Sequence, residues 1–225
     1  MIHIERTAKP AVLVENEVRW QEEYEAEIKI KPGCRPRPSR YRHPKILEAL
    51  RDMSYNKCFY CEKSLKGESG EIDHHIEVGI DCKGAYAWDN LVLSCDNCNN
   101  KKDHNRIPVD EALDPCRDSN EKIRSHLTFV DEIIMPKENS QIGRKTIDKY
   151  RLSTERLDYQ RMRRLNILSR KFIEIANNMI ADGRNELTEY ERDELLVFAD
   201  AGSEFSFMCS NYLRRIAGRL LFIVT

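Results

Sequence analysis

The chain holds 225 residues, room for one decorated domain or two small ones, which excludes a large multidomain machine. Its 37 Lys and Arg stand against 38 Asp and Glu, for a formal net charge of -1, so any surface for nucleic acid has to be local. No run approaches the ~20 apolar residues of a membrane span, and the first ten residues lack the basic-then-apolar order of a secretory signal; the expected location is the cytoplasm.

Residues 14–27 carry six acids and one Arg on a plausible helix, whereas residues 28–47 carry seven Lys or Arg, no acid and four prolines. Prolines 32, 36, 38 and 44 argue against a helix there, because each lacks a backbone donor and restricts the residue before it. The stretch reads as a basic, extended arm, equally able to reach a phosphate backbone or to serve as a solvated linker. A short amphipathic helix from Ile46 to Met53 runs into Cys58. From there to about Lys102 the chain is turn-rich and dense in Cys, His, Asp and Asn.

Beyond Pro136 there is no further proline, and Leu157, Leu165, Leu168, Phe172, Ile175 and Met179 recur at helical spacing. Ser153 or Thr154 can cap this helix, Gly183 ends it, and a last helix is expected over about Glu204 to Phe222. Residues 144–171 hold ten basic and three acidic side chains, whereas residues 174–200 hold two basic and eight acidic. The first of these helices, with Arg161, Arg163 and Arg164, is therefore a candidate phosphate-facing surface; a solvated charged face is the plainer reading.

Cys58-Phe59-Tyr60-Cys61 and Cys95-Asp96-Asn97-Cys98 are two C-x-x-C pairs with 33 residues between them. In a reducing compartment this spacing favours metal over disulfide. Two such pairs close a tetrahedral four-thiolate site, which is structural because no position stays open. Zinc there would supply folding energy that a short, turn-rich segment lacks. Four unrelated thiols would need two coincidences of spacing, and redox chemistry of the thioredoxin kind uses one pair. Cys34, Cys82, Cys116 and Cys209 share no spacing rule and read as ordinary thiols.

Between the pairs, Glu71-Ile72-Asp73-His74-His75-Ile76 reads as a short strand. Trp88-Asp89-Asn90-Leu91-Val92-Leu93-Ser94 leads into the second pair, and a helix starts near Cys95. In this ββα unit, Asp73 and His74 come from the first strand and Asn99 from the first helical turn, so they can converge on one hard cation. Oxygen donors suit magnesium or manganese while thiolates select zinc, which separates two metal sites. Beside a divalent ion an imidazole can take a proton from water, the chemistry of phosphodiester hydrolysis. A His-His pair by itself is more often structural; the cysteine frame reverses those odds.

These residues resemble the HNH (ββα-metal) nuclease family in its zinc-knuckle form: C-x-x-C, D-H, W-x-N-L, then C-x-x-C-N-x-x-K. The resemblance implies His74 as general base, Asp73 and Asn99 as ligands of the catalytic ion, Asn90 as the residue fixing the loop, Lys102 near the scissile phosphate, and a 3′-hydroxyl product. Many relatives carry a hydrophobic residue in place of His75 and a proline in place of Glu77. Some colicin-type members use the first His of a pair as ligand and the second as base, so His75 is the reserve candidate.

Ile107-Pro108-Val109, Leu113-Asp114-Pro115, His126-Leu127-Thr128-Phe129, Thr146-Ile147, Leu152-Ser153 and Arg156-Leu157 look like the downstream pattern of the HNH nucleases of bacterial Septu and retron-associated anti-phage defence systems (PtuB type). That likeness implies nucleic acid, DNA first, as substrate, an SMC-like or ABC-like ATPase partner (PtuA type), and in some systems a retron reverse transcriptase with its DNA.

The expected fold is α+β: a zinc-stabilised ββα-metal core (residues 46–135), an N-terminal helix and basic arm (1–45), and a mainly helical C-terminal region for partner docking (136–225). Two other functions are compatible with the residues: a zinc-ribbon binding module with an inert site, and a ribonuclease using the same site.

Overall fold

The computed structural model describes residues 1–101 and 107–221, with the side chains of residues 100, 101 and 217–221 left aside. Helix α1 (Ala11–Ile30) buries Leu13, Trp20 and Tyr24, which recur at intervals of seven and four and so share one face. Two helices follow, α2 (Pro38–Tyr41) and α3 (Pro44–Met53), each with a proline in its first turn. The expectation of an extended arm is therefore corrected. At the first helical position the missing N–H has no partner to lose, and the fixed φ of proline suits the helix. The basic stretch folds back on α1, where Arg37 and Arg40 pair with Glu27 and Glu23. The Arg40 guanidinium also lies over the rings of Trp20 and Tyr86.

Strand β1 (Glu71–His74) pairs antiparallel with β2 (Leu91–Ser94), Glu71 opposite Ser94 and His74 opposite Leu91. Helix α4 (Asp96–Lys101) follows at once, completing the ββα unit. Helix α5 (Asn120–His126), capped by Ser119, leads into a second hairpin of β3 (Leu127–Val130) and β4 (Ile133–Pro136). Its turn carries Asp131 at positive φ, as tight hairpin turns require. Helix α6 (Gln141–Lys149) packs closely on this hairpin, since a Cβ at Gly143 would lie 2.1 Å from the His126 carbonyl oxygen.

Helix α7 (Glu155–Ala181) is capped by Thr154, whose side chain accepts from the Leu157 N–H, and the chain leaves it through Gly183 at φ +64. Helix α8 (Glu189–Leu196) opens with a capping box between Thr188 and Glu191. Helix α9 (Ser206–Leu221) begins two residues later than expected; Phe222 lies outside the described residues. The reading of Arg161 as phosphate-facing is corrected by its burial. Its guanidinium donates to the Leu152 carbonyl and to Asp158, and lies over Phe129 and Phe205. A long stem and planar head let arginine act as a core residue where acceptors meet the head and aromatic rings cover it.

One hydrophobic cluster gathers α1, α3, the two cysteine pairs, β2, Leu113, Ile123, Leu152 and Leu157, and the second joins α7, α8 and α9 through Leu168, Ile175, Leu195, Phe205 and Met208. Glu62, just past the first cysteine pair, ties the two parts: its carboxylate accepts from Lys57, Ser206 and the Phe207 N–H. No described helix is long and apolar enough to cross a membrane.

Candidate active site and metal centre

Cys58, Cys61, Cys95 and Cys98 are buried, and their sulfurs all lie within 4.8 Å of one another. The Cys61 and Cys95 sulfurs are 3.8 Å apart. A tetrahedron with metal–sulfur bonds of about 2.3 Å has edges of about 3.8 Å, so the donor set and its spacing fit a four-thiolate metal ion. Hydrogen bonding among the four side chains holds the Cys95 thiol far below its ordinary range and pushes those of Cys61 and Cys98 well above theirs. None of the described cysteines forms a disulfide.

The first pair does more than bind. The Phe59 N–H donates to the Leu93 carbonyl at 2.8 Å, locking the turn onto β2. Tyr60 is fully buried and its hydroxyl donates to Asp73 Oδ2 at 2.7 Å. Burial, then the nearby Asp73 charge, pushes the Tyr60 hydroxyl well above its usual range, so it remains a donor. Glu71 and Asp73 are alternate residues of β1 and share a face. Asn99, in the first turn of α4, donates through Nδ2 to Glu71. Amide and carboxylate oxygens such as those of Asn99 and Asp73 are hard donors, the kind that suits a divalent ion of the magnesium type.

His74 is the last residue of β1 and alternation sends it to the other side of the strand, half-buried. Its Nε2 is 2.8 Å from the Ala85 carbonyl oxygen, and its ring meets Tyr41 edge-on at 4.9 Å between centroids. A carbonyl only accepts, so Nε2 carries the proton and Nδ1 is the basic nitrogen.

Asn90 fastens the loop behind His74. Its Oδ1 accepts from the Ile76 N–H at 2.6 Å and its Nδ2 donates to the Ile76 and Gly84 carbonyls at 2.9 Å each. Its own carbonyl accepts from the His75 N–H at 2.8 Å. Gly84 is needed beneath it: a Cβ there would lie 2.8 Å from the Asn90 amide nitrogen. A cleft of about 830 Å³ opens beside this loop, bounded by Ile76, Asn90, Ile107, Val109 and Arg117.

Asn99 is tied to Glu71, which alternates with Asp73 along β1, while His74 lies on the opposite side of the strand beside the loop that Asn90 fastens. His75 goes elsewhere. It is 4% exposed, stacked with Tyr60 and Tyr150, edge-on to Phe59, with Nε2 3.6 Å from Asp114. Lys102 lies outside the described residues. Tyr60, Glu71, Tyr41 and Gly84 were not singled out by the sequence reading. The signal for Glu71 was its place two residues before Asp73, and for Tyr60 its place inside a cysteine pair.

A ββα unit framed by a four-cysteine cluster, with Asp-His closing the first strand and Asn opening the helix, defines an HNH endonuclease domain, a phosphodiester hydrolase. Residues 58–105 match the HNH endonuclease family. Septu protein PtuB of Bacillus thuringiensis is 28% identical, over 82% of this chain and 66% of its own length. Septu protein PtuB of Bacillus mycoides (strain KBAB4) is 30% identical, over 83% of this chain and 73% of its own. The chain belongs to the Septu PtuB family.

Proposed function

We propose that this protein is a metal-dependent endonuclease that hydrolyses phosphodiester bonds of DNA in the bacterial cytoplasm. It would act as the effector of an anti-phage defence complex with an ATPase partner of the PtuA type, and with a retron reverse transcriptase and its DNA where such genes adjoin. What supports this reading is the order of groups on the ββα unit: Asp73 and His74 are the last two residues of β1, Asn99 donates to Glu71 of the same strand, and the Ala85 carbonyl holds the His74 ring.

In this reading Cys58, Cys61, Cys95 and Cys98 hold zinc, and Asp73 and Asn99 hold magnesium or manganese. The oxygen-bound ion, when present, would supply stabilisation of the charge on the phosphate and on the departing oxygen. The chain's own residues do the rest. The Ala85 carbonyl fixes the tautomer of His74, and Nδ1 accepts a proton from water. The water oxygen bonds to phosphorus, the phosphorus–O3′ bond breaks, and O3′ leaves as a hydroxyl after taking a proton from solvent. Asn90 holds the loop, and with it the Ala85 carbonyl, in place.

The formal net charge of -1 suits an enzyme that takes part of its grip from a partner, since phosphate affinity scales with the number of phosphates neutralised. The chain purified with a PtuA-type ATPase should cut duplex DNA in magnesium and stop on addition of EDTA. Cleavage of RNA alone would replace this reading with a ribonuclease. Tight binding with neither polymer cut would replace it with a zinc-ribbon binding module.

A further inference from the structure

We infer that Tyr60 is a positioning residue for the catalytic ion, setting the geometry of Asp73 from within the zinc knuckle; the inference rests on the reading of Asp73 as a ligand of that ion. The Tyr60 hydroxyl donates to Asp73 Oδ2 at 2.7 Å from a fully buried ring. That ring cannot drift. It stacks on Tyr150 at 4.5 Å with 20° between planes and meets Phe59 edge-on at 5.3 Å. On either side along the chain it is flanked, at one and two residues' remove, by Cys61 and Cys58, whose sulfurs belong to the four-cysteine cluster.

A carboxylate on a β-strand can rotate about its last torsion, and rotation exchanges the oxygen presented to a ligand. The phenol stops this. With Oδ2 engaged, the Asp73 carboxylate is held in one orientation, so ordering it costs less when the ion arrives. The Asn99 amide is held in a parallel way by Glu71. Two oxygen donors on different elements are thus each aimed by a neighbour, and one of those neighbours is part of the knuckle. Loss of the thiolate-bound ion would loosen Asp73 through Tyr60 without any contact between the two metal sites.

The test is manganese binding by the full chain, purified with its zinc and followed by the EPR signal of free Mn2+, beside its cleavage rate as manganese is varied. Outer partners of metal ligands are worth about 10–100-fold in affinity. Tyr60→Phe should therefore keep its zinc content and weaken manganese binding by about that factor, with cleavage recovering as manganese is raised. Replacement by 4-aminophenylalanine, which keeps a donor at the same place, should restore the affinity. Unchanged manganese affinity in Tyr60→Phe with zinc intact would overturn the proposal. If the phenylalanine variant does not fold, 4-fluorophenylalanine, which fills the hydroxyl's space without donating, carries the same prediction and the same contrary result. Asp73→Ala separates the two layers: manganese binding that survives it refutes Asp73 as ligand, whereas binding lost there but untouched in Tyr60→Phe refutes only the role of Tyr60.

Discussion

His74 Nε2 sits 2.8 Å from the carbonyl oxygen of Ala85, while the neighbouring His75 packs against the rings of Phe59, Tyr60 and Tyr150. Two consecutive histidines therefore have different tasks. His74 is held in one tautomer at a half-buried position, and His75 fills the interior. His75→Ala should cost about 2–4 kcal/mol of stability, as truncation of a packed aromatic ring does. Thermal unfolding checks this; an unchanged midpoint would show that the His75 ring contributes little to packing.

The four-cysteine cluster sits within the apolar core that surrounds β2 and the two cysteine pairs. Cys95→Ser should lose the metal and the fold of residues 58–101, since structural zinc contributes about 10–16 kcal/mol of apparent binding energy. Elemental analysis together with circular dichroism reads this directly. Zinc content retained at one equivalent would contradict the four-thiolate site.

Arg161 and Arg42 should behave in opposite ways. Arg161 is interior, so Arg161→Ala should lower stability by about 2–3 kcal/mol through a lost buried pair and lost packing, leaving the salt dependence of DNA binding as it was. Arg42 is exposed, with its guanidinium 5.6 Å above the Tyr41 ring, which itself abuts His74. Placed beside Tyr41 and His74, Arg42 is within reach of a phosphate at the site, so Arg42→Ala should reduce the salt slope by about one. A slope unchanged in Arg42→Ala would remove Arg42 from the DNA surface.

Glu62 makes stability depend on acid. Burial alone would raise its pKa, but the Met1 ammonium, Lys57 and the Ser206 hydroxyl outweigh burial and lower it from 4.5 to about 2. A folded-state pKa below the unfolded one means stability that is present above pH 4.5 and is lost as pH falls towards 2. Glu62→Gln should be less stable at neutral pH and should show a flatter decline across that window. Parallel acid unfolding curves for the two proteins would refute the assignment.

Much of the site was legible because its chemistry is local in sequence. The cysteine spacing, Asp73-His74 and the Asn99 that follows Cys98 each lie within a few residues of a turn or strand end whose geometry is fixed by short-range rules. What was not legible depends on contacts across the chain. Pro38 and Pro44 read as helix breakers until their place in a first helical turn is known. Arg161 reads as a surface cation until Leu152, Phe129 and Phe205 close over it. The β3–β4 hairpin went unread because each strand is four residues long, too short for alternation to declare itself. The Tyr60–Asp73 bond joins residues 13 apart that no pattern links.

The most direct test is the cleavage rate of His74→Ala in manganese, measured in the purified complex with added imidazole as a second arm. A general base contributes about 10²–10⁴-fold. The variant should therefore lose cleavage by that factor while keeping its zinc and its manganese affinity, and should regain part of the rate with imidazole. Cleavage and phage protection undiminished in His74→Ala would contradict the account.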